Sequence, residues 1–310
     1  MDARRTAIRP ETSERPHWER SATWSVARRD WLIASIRRGF VREVALVTFA
    51  ILAYFAIRNL TAGSTEAAFT NAARIEDLER WLGVAQESSV QAAIVGNDSL
   101  VALANWVYIW GHWPVLLSTA VALYFLRRDR YYVLRNAIIV SGAIGFFFFA
   151  LFPVAPPRLV DAALVDTVTE QSHAYRAFQP PGLTNQYAAF PSLHLGWNLV
   201  VGVVLLTATA SLAIRVFAVI SPVAMAFAVV ATANHYIVDV AAGVVVVLVG
   251  LVVAHSIELR QATATLDDRA PRPDDCRRGA AKTVPGRPSC RKPHLGPPRR
   301  GAARVGARRG

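Results

Sequence analysis

The chain predicts an all-α fold of the polytopic membrane class, a bundle of six transmembrane helices, and three observations carry that prediction. Hydrophobic residues make up 53% of the 310 positions and charged residues only 18%. Both ends are arginine-rich, so the apolar content is concentrated in the middle. There, six windows meet or approach the roughly 20 apolar residues that a helix needs to cross a hydrocarbon core of about 30 Å. The basic residues also fall on alternate loops, as they do when one set of loops is cytoplasmic and the other is not.

Residues 1–40 read as a basic cytoplasmic segment. No compact apolar stretch followed by a small-residue cleavage site precedes Phe40, so no cleaved signal peptide is expected. Residues 41–258 then form the membrane domain. Its spans are expected at Val44–Ala62, Trp106–Leu126, Ala137–Pro153, Leu195–Ile214, Val216–Ala233 and Ile237–Ile257. Arg58 interrupts the first and must snorkel to the interface. Between the first two, Ala68, Ala72, Ile75, Leu78 and Leu82 recur at helical spacing against Arg74, Glu76, Asp77, Glu79 and Arg80, which predicts an amphipathic helix on the outer surface.

Orientation follows from the arginines. Arg28, Arg29, Arg37, Arg38 and Arg42 precede the first span, and Arg127, Arg128, Arg130 and Arg135 follow the second, so both groups belong in the cytoplasm. Both termini then lie inside a cell membrane, and the loops around Glu76, Asp161 and Asn234 lie outside. The tail, residues 259–310, is too poor in large apolar residues to offset its ordering entropy and is expected to be disordered. Its basic residues suit attachment to anionic lipid. A net charge of +12 could suggest nucleic acid, but its placement beside the spans argues for membrane topology, and no nucleic-acid partner is expected. The two cysteines, Cys276 and Cys290, both fall in the tail, so neither a disulfide framework nor a thiolate metal site is expected.

Three polar clusters stand at non-cytoplasmic helix ends. In Phe152-Pro153-Val154-Ala155-Pro156-Pro157-Arg158-Leu159 the prolines end a helix and project Arg158 at the surface. A guanidinium there can hold a phosphate by two parallel hydrogen bonds. Phe190-Pro191-Ser192-Leu193-His194 opens the fourth span as a helix N-terminus, where free N–H groups favour an anion. Ser192 adds a hydroxyl and His194 a titratable donor. Asn234-His235-Tyr236-Ile237-Val238-Asp239 opens the sixth span, with His235 and Asp239 on one helix face. The carboxylate can take one imidazole N–H and leave the other nitrogen free to react. Together these supply an anion cradle, two histidines and a carboxylate, the parts of a covalent phosphoryl-transfer site. No carboxylate cluster with metal-ligand spacing is visible, so neither metal nor cofactor is expected. Tyr108 and His112, one turn apart, and Asn185, Tyr187 and Asn198, flanking the second cluster, are candidates for a surrounding layer. A single phosphorus can meet both imidazoles only if they stand within roughly 10 Å of each other.

At these residues the sequence resembles the type 2 phosphatidic acid phosphatase superfamily, which shares its catalytic core with acid phosphatases and vanadium haloperoxidases. The likeness is closest to the inositol phosphorylceramide synthase branch, the inositolphosphotransferases. It rests on Ala155-Pro156-Pro157-Arg158, Ala189-Phe190-Pro191-Ser192-Leu193-His194 and His235-Tyr236-Ile237-Val238-Asp239, with support at Asn105-Trp106-Val107-Tyr108 and His112. The resemblance implies that His235 forms a phosphohistidine, that Asp239 orients it, and that His194 protonates the leaving oxygen and later activates the acceptor. It also implies that Arg158 and Ser192 bind the phosphate. The substrate would be a membrane lipid phosphate, either a phospholipid or an isoprenyl phosphate or diphosphate, and the acceptor water, inositol or another polyol. The family's pattern has a lysine and an arginine where this chain has Leu151 and Val229. A transporter that uses the same polar residues for binding or proton relay is the competing expectation.

Overall fold

The computed structural model describes residues 39–50, 52–53, 65–171 and 186–269, and apart from turns they are helical. The exception is one isolated parallel bridge between Val154 and Ala188. The chain divides into two compact units, Met1–Ser256 and Ile257–Gly310. In chain order the helices are α1 (residues 39–50), α2 (Thr65–Leu82), α3 (Glu87–Val95), α4 (Asp98–Trp110), α5 (Trp113–Leu126) and α6 (Arg128–Leu151). They continue with α7 (Pro157–Val160), α8 (Thr167–Gln171), α9 (Leu193–Ala208), α10 (Leu212–Ala231) and α11 (Ile237–Arg269).

The hub is α9, which packs on α10, α6 and α5 and buries Val200, Val201 and Val204. Small residues let the helices approach, as they must where lipid removes the hydrophobic drive between apolar faces. Gly142 and Gly145 of α6 stand against Trp197 and Leu193 of α9. Away from these seams Phe125, Phe147, Val223 and Val252 stay exposed, the arrangement of a bundle turned outward to hydrocarbon. The arginines after α5 also serve the fold. Arg127 donates from Nη1 to the Ala208 carbonyl at the C-terminus of α9 (2.9 Å), and Arg135 pairs with Glu43 of α1 at 2.6 Å.

Among the described residues three helices, α6, α10 and the Ile237–Gln261 part of α11, are long and apolar enough to cross a membrane, and the pair α4–α5, bent by 42° at its break, is so only when taken together. This differs from the six expected spans in several respects. The expected Trp106–Leu126 span is broken at Gly111 and His112, where the ring of His112 turns inward and is buried. The expected Leu195–Ile214 span stops at Ala208, because Thr209 takes an extended conformation and Ser211 caps a new helix, leaving α9 only 16 residues long. Most of the Val44–Ala62 span lies outside the described residues. The helix expected to end at Ile257 runs on to Arg269, since residues 258–269 are mostly good helix formers with neither glycine nor proline. The first part of the tail expected to be disordered is therefore helical.

The amphipathic helix before α3 is present, but rotated. Ala68, Ala72 and Ile75 are buried as expected, whereas Leu78 and Leu82 are exposed and Glu79 is buried in their place. Its inner face meets polar backbone rather than lipid, so an acceptor is needed where a leucine was expected.

Gly243 of α11 lies against the Ser192 backbone, and a Cβ there would collide with the Ser192 carbonyl oxygen. Gly243→Ala is expected to destabilise the fold by about 1–3 kcal/mol, the usual cost of overpacking. Thermal unfolding in detergent, compared with Gly39→Ala, whose Cβ would meet nothing within 4 Å, checks this.

Candidate active site

The first cluster is fastened from several sides before it presents its arginine. Asn71 of α2 donates to the Pro153 carbonyl (2.9 Å), Ala155 N–H to the Ala68 carbonyl (3.1 Å) and Val154 N–H to the Tyr187 carbonyl (2.8 Å). Pro157 then opens α7, a position that needs no N–H. Arg158, with 10% of its side chain exposed, donates from Nε to Asp166 (3.0 Å) and from Nη1 to the Asn234 side chain (2.6 Å). The segment bearing Asp166 is itself pinned. Gln91 exchanges hydrogen bonds with both backbone groups of Val165 (2.9 and 2.8 Å), and Asn105 does so with the carbonyl and hydroxyl of Thr167 (both 2.9 Å). The guanidinium is thus held by two side chains and keeps N–H groups for a further acceptor.

In the second cluster Ser192 is the N-cap of α9, and its N–H donates to the Asp239 carbonyl (3.0 Å). Its Oγ is buried and has no partner among the described residues. The N–H groups of the first turn of α9 have no intrahelical acceptor, so that turn and the hydroxyl together suit an anion. The imidazole of His194 lies between two rings, Tyr108 at 4.6 Å and His112 at 4.3 Å between centroids. Asn198 donates to the His194 carbonyl (3.0 Å) and accepts from Ser221 (3.0 Å).

The third cluster follows a strained turn. Helix α10 ends in a Schellman arrangement: Ala233 N–H donates to the Val230 carbonyl (2.8 Å) and Asn234 N–H to that of Val229 (3.1 Å). The left-handed position of this motif usually holds glycine, yet here it is Ala233, at φ 53°. That costs on the order of 1 kcal/mol. The Ala233 carbonyl accepts from Arg158 N–H (3.1 Å), which ties the turn to the first cluster.

His235, 4% exposed, comes next. Its Nδ1 lies 2.7 Å from the Ala189 carbonyl and 3.5 Å from Asp239 Oδ2. The shorter contact is the hydrogen bond, so the carbonyl takes the Nδ1 proton and the carboxylate stands behind it. Asp239 Oδ2 also accepts from Tyr236 N–H at 2.8 Å, reaching back to the start of its own helix, so the expected carboxylate contact to Nδ1 is the longer of the two. The Nε2 atom is left available. Burial pulls the His235 imidazole down to about 4, with the Ala189 carbonyl opposing the shift and the Arg158 charge adding to it. The ring is therefore neutral at physiological pH. That preference for the neutral form stabilises the fold in full above about pH 6.5 and is lost as pH falls through about 4. The rings of His194 and His235 are 6.0 Å apart between centroids.

A family model described as the PAP2 superfamily matches residues 73–253. The chain belongs to the PAP2 superfamily. Neither the curated proteins nor the solved structures gave a match. The matched stretch starts within α2 and ends within α11, so the PAP2 region includes all three clusters.

Within this PAP2 region the positions where the family's pattern has a lysine and an arginine are held by Leu151 and Val229. Leu151 is 67% exposed at the C-terminal end of α6, and Val229 is fully buried beneath the turn that its carbonyl caps. The structure gathers Tyr108, His112 and Asn198 around His194. Tyr187 instead packs its ring on Phe69 and shares a hydrogen bond with Thr65, both of α2, and Asn185 lies outside the described residues. The sequence reading gave no site role to Asn234 and Asp166, which hold Arg158, or to two acids, Glu79 and Glu87. Glu79 did leave a signal, since it continues the series Ala68, Ala72, Ile75 in helical phase and so lies on the buried stripe.

Proposed function

We propose that this PAP2 superfamily protein is a membrane-embedded lipid phosphatase or phosphotransferase working through a phosphohistidine on His235 at the non-cytoplasmic face. The substrate is a phospholipid or an isoprenyl phosphate or diphosphate. The acceptor is water, inositol or another polyol. The observation that carries this reading is the 6.0 Å approach of the His194 and His235 rings, from two helix starts, beside the unpartnered Ser192 hydroxyl. A phosphorus between the rings is within reach of both imidazoles.

In the first step His235 Nε2 attacks in line, and the P–N bond forms as the bond to the leaving oxygen breaks. His194, which takes up a proton as the anionic phosphate binds beside it, gives that proton to the leaving oxygen. Arg158, Ser192 Oγ and the N–H groups of α9 stabilise the equatorial oxygens. In the second step His194, now neutral, takes the proton of water or a polyol hydroxyl, whose oxygen displaces the histidine. Six crossings with both termini in the cytoplasm fit the arginine distribution and put the clusters at the outer leaflet, where a lipid enters sideways.

The test uses purified protein in detergent with dioleoyl phosphatidate or farnesyl diphosphate carrying a labelled phosphate. The expected result is release of label, with an acid-labile, alkali-stable phosphoprotein trapped on denaturation. Protein that transports such lipids without ever labelling or releasing phosphate would sink the enzyme reading in favour of the transporter.

A further inference from the structure

Two carboxylates from outside the three clusters converge on the turn that carries His235. Glu79 of α2 is 1% exposed and Glu87, the first residue of α3, 8%. Oε1 of Glu79 accepts the N–H of Val238 at 2.7 Å, and Oε1 of Glu87 accepts that of Ile237 at 2.9 Å. With Asp239 on Tyr236 N–H, three carboxylates hold three consecutive N–H groups at the start of α11. Among the described residues neither Glu79 nor Glu87 forms an ion pair. Burying two carboxyl groups together is unfavourable unless their hydrogen bonds are made, and here those bonds go to the turn directly after His235. The positive end of this helix is thus occupied by the protein's own side chains, in contrast to that of α9.

We propose that Glu79 and Glu87 are positioning residues for the reaction at His235: they clamp the first turn of α11 from α2 and α3 and so fix where its imidazole stands. This rests on the phosphohistidine reading. Neither residue touches the reacting atoms; each acts through backbone. Burial pushes the Glu79 carboxyl up to about 8, with Val238 N–H opposing the rise and Glu87 and Asp239 adding to it. The other titratable groups facing the pair are Tyr236 of α11 and Glu76 of α2, whose Oε1 accepts the Tyr236 hydroxyl at 3.4 Å. Burial raises Glu76 as well. Below about pH 8 Glu79 is neutral and can donate to Glu87. As pH rises through about 8 that proton is lost, Glu79 can no longer donate to Glu87, and the clamp weakens.

The experiment compares wild type, Glu79→Ala and Glu79→Gln in detergent by two measurements. The first is kcat and KM on dioleoyl phosphatidate from pH 6 to 9.5. Glu79→Ala is expected to lower kcat on the order of 10- to 100-fold, the scale of a small misplacement of a reacting group, with KM moving less than about threefold. Glu79→Gln, whose Oε1 still accepts from Val238 and whose amide can donate to Glu87, is expected to recover most of that rate. It should also lack the wild-type fall above about pH 8. The second measurement is the His235 Nδ1–H resonance in histidine-labelled protein, which needs no turnover. It should shift through about pH 8 in wild type and not in Glu79→Gln. An active enzyme whose rate and resonance ignore both substitutions overturns the positioning. An inert wild type whose resonance still follows Glu79 keeps the clamp and removes the phosphohistidine reading instead.

Discussion

Replacing His235 by alanine is expected to reduce turnover on the order of 10⁴-fold or more, because the proposed mechanism forms its covalent intermediate on that residue. Replacing His194 should cost less and in a different way. A general acid contributes about 10²–10⁴-fold, and its contribution shrinks as the leaving group becomes able to depart without a proton. The two histidines are therefore separable by substrate. With an alkyl phosphate both variants should be severely impaired, whereas with p-nitrophenyl phosphate His194→Ala should regain much of the first-step rate and His235→Ala none. Only wild type and His194→Ala should carry trapped phosphate, since only they keep the nucleophile. Loss of the Nδ1 contact to Ala189 makes a folding control necessary, and an unchanged thermal midpoint supplies it. Recovery of His235→Ala on the activated ester would remove His235 from the nucleophile's role.

The three clusters were legible because each pairs a backbone signal with a chemical one. Prolines and a serine mark the helix starts, and an arginine, two histidines and an aspartate sit at fixed offsets from them. What could not be read was how the clusters are held. Asn71, Gln91 and Asn105 reach backbone far away in sequence, and a lone amide in a helix carries no local mark of its partner. Within the described residues the helix ends also fall elsewhere than the hydropathy windows put them. The break at Gly111 and His112 had a local mark in Pro114, which sits in the first turn of α5, and it places the His112 ring 4.3 Å from that of His194. Glu79 was assigned to the polar face of α2 on charge alone. Helical phase put it on the buried stripe, and the acceptor needed by Val238 N–H decides in favour of phase.

Arg158 should produce the second large effect, and the kind of substitution should matter as much as the loss. With Leu151 and Val229 uncharged, Arg158 carries much of the cationic stabilisation that the motif residues can give a transferring phosphoryl group. Its guanidinium already serves Asp166 through Nε and Asn234 through Nη1, so binding phosphate as well needs the remaining donors of a planar fork. A lysine keeps the charge but has one nitrogen with three donors, which cannot span two side chains and the substrate in the same geometry. Losing one well-placed donor to a transition-state oxyanion costs about 10²–10³-fold in kcat. Arg158→Lys is therefore expected to lose on the order of 10²-fold. Arg158→Ala should lose 10³-fold or more, and it also leaves Asp166 without its cation next to the site. Adding Asp166→Asn to Arg158→Ala removes that stranded charge and should restore stability without restoring rate. Steady-state kinetics and thermal unfolding on the three proteins check both halves. A double variant that regained wild-type kcat would show the arginine to be a structural partner of Asp166 and no more.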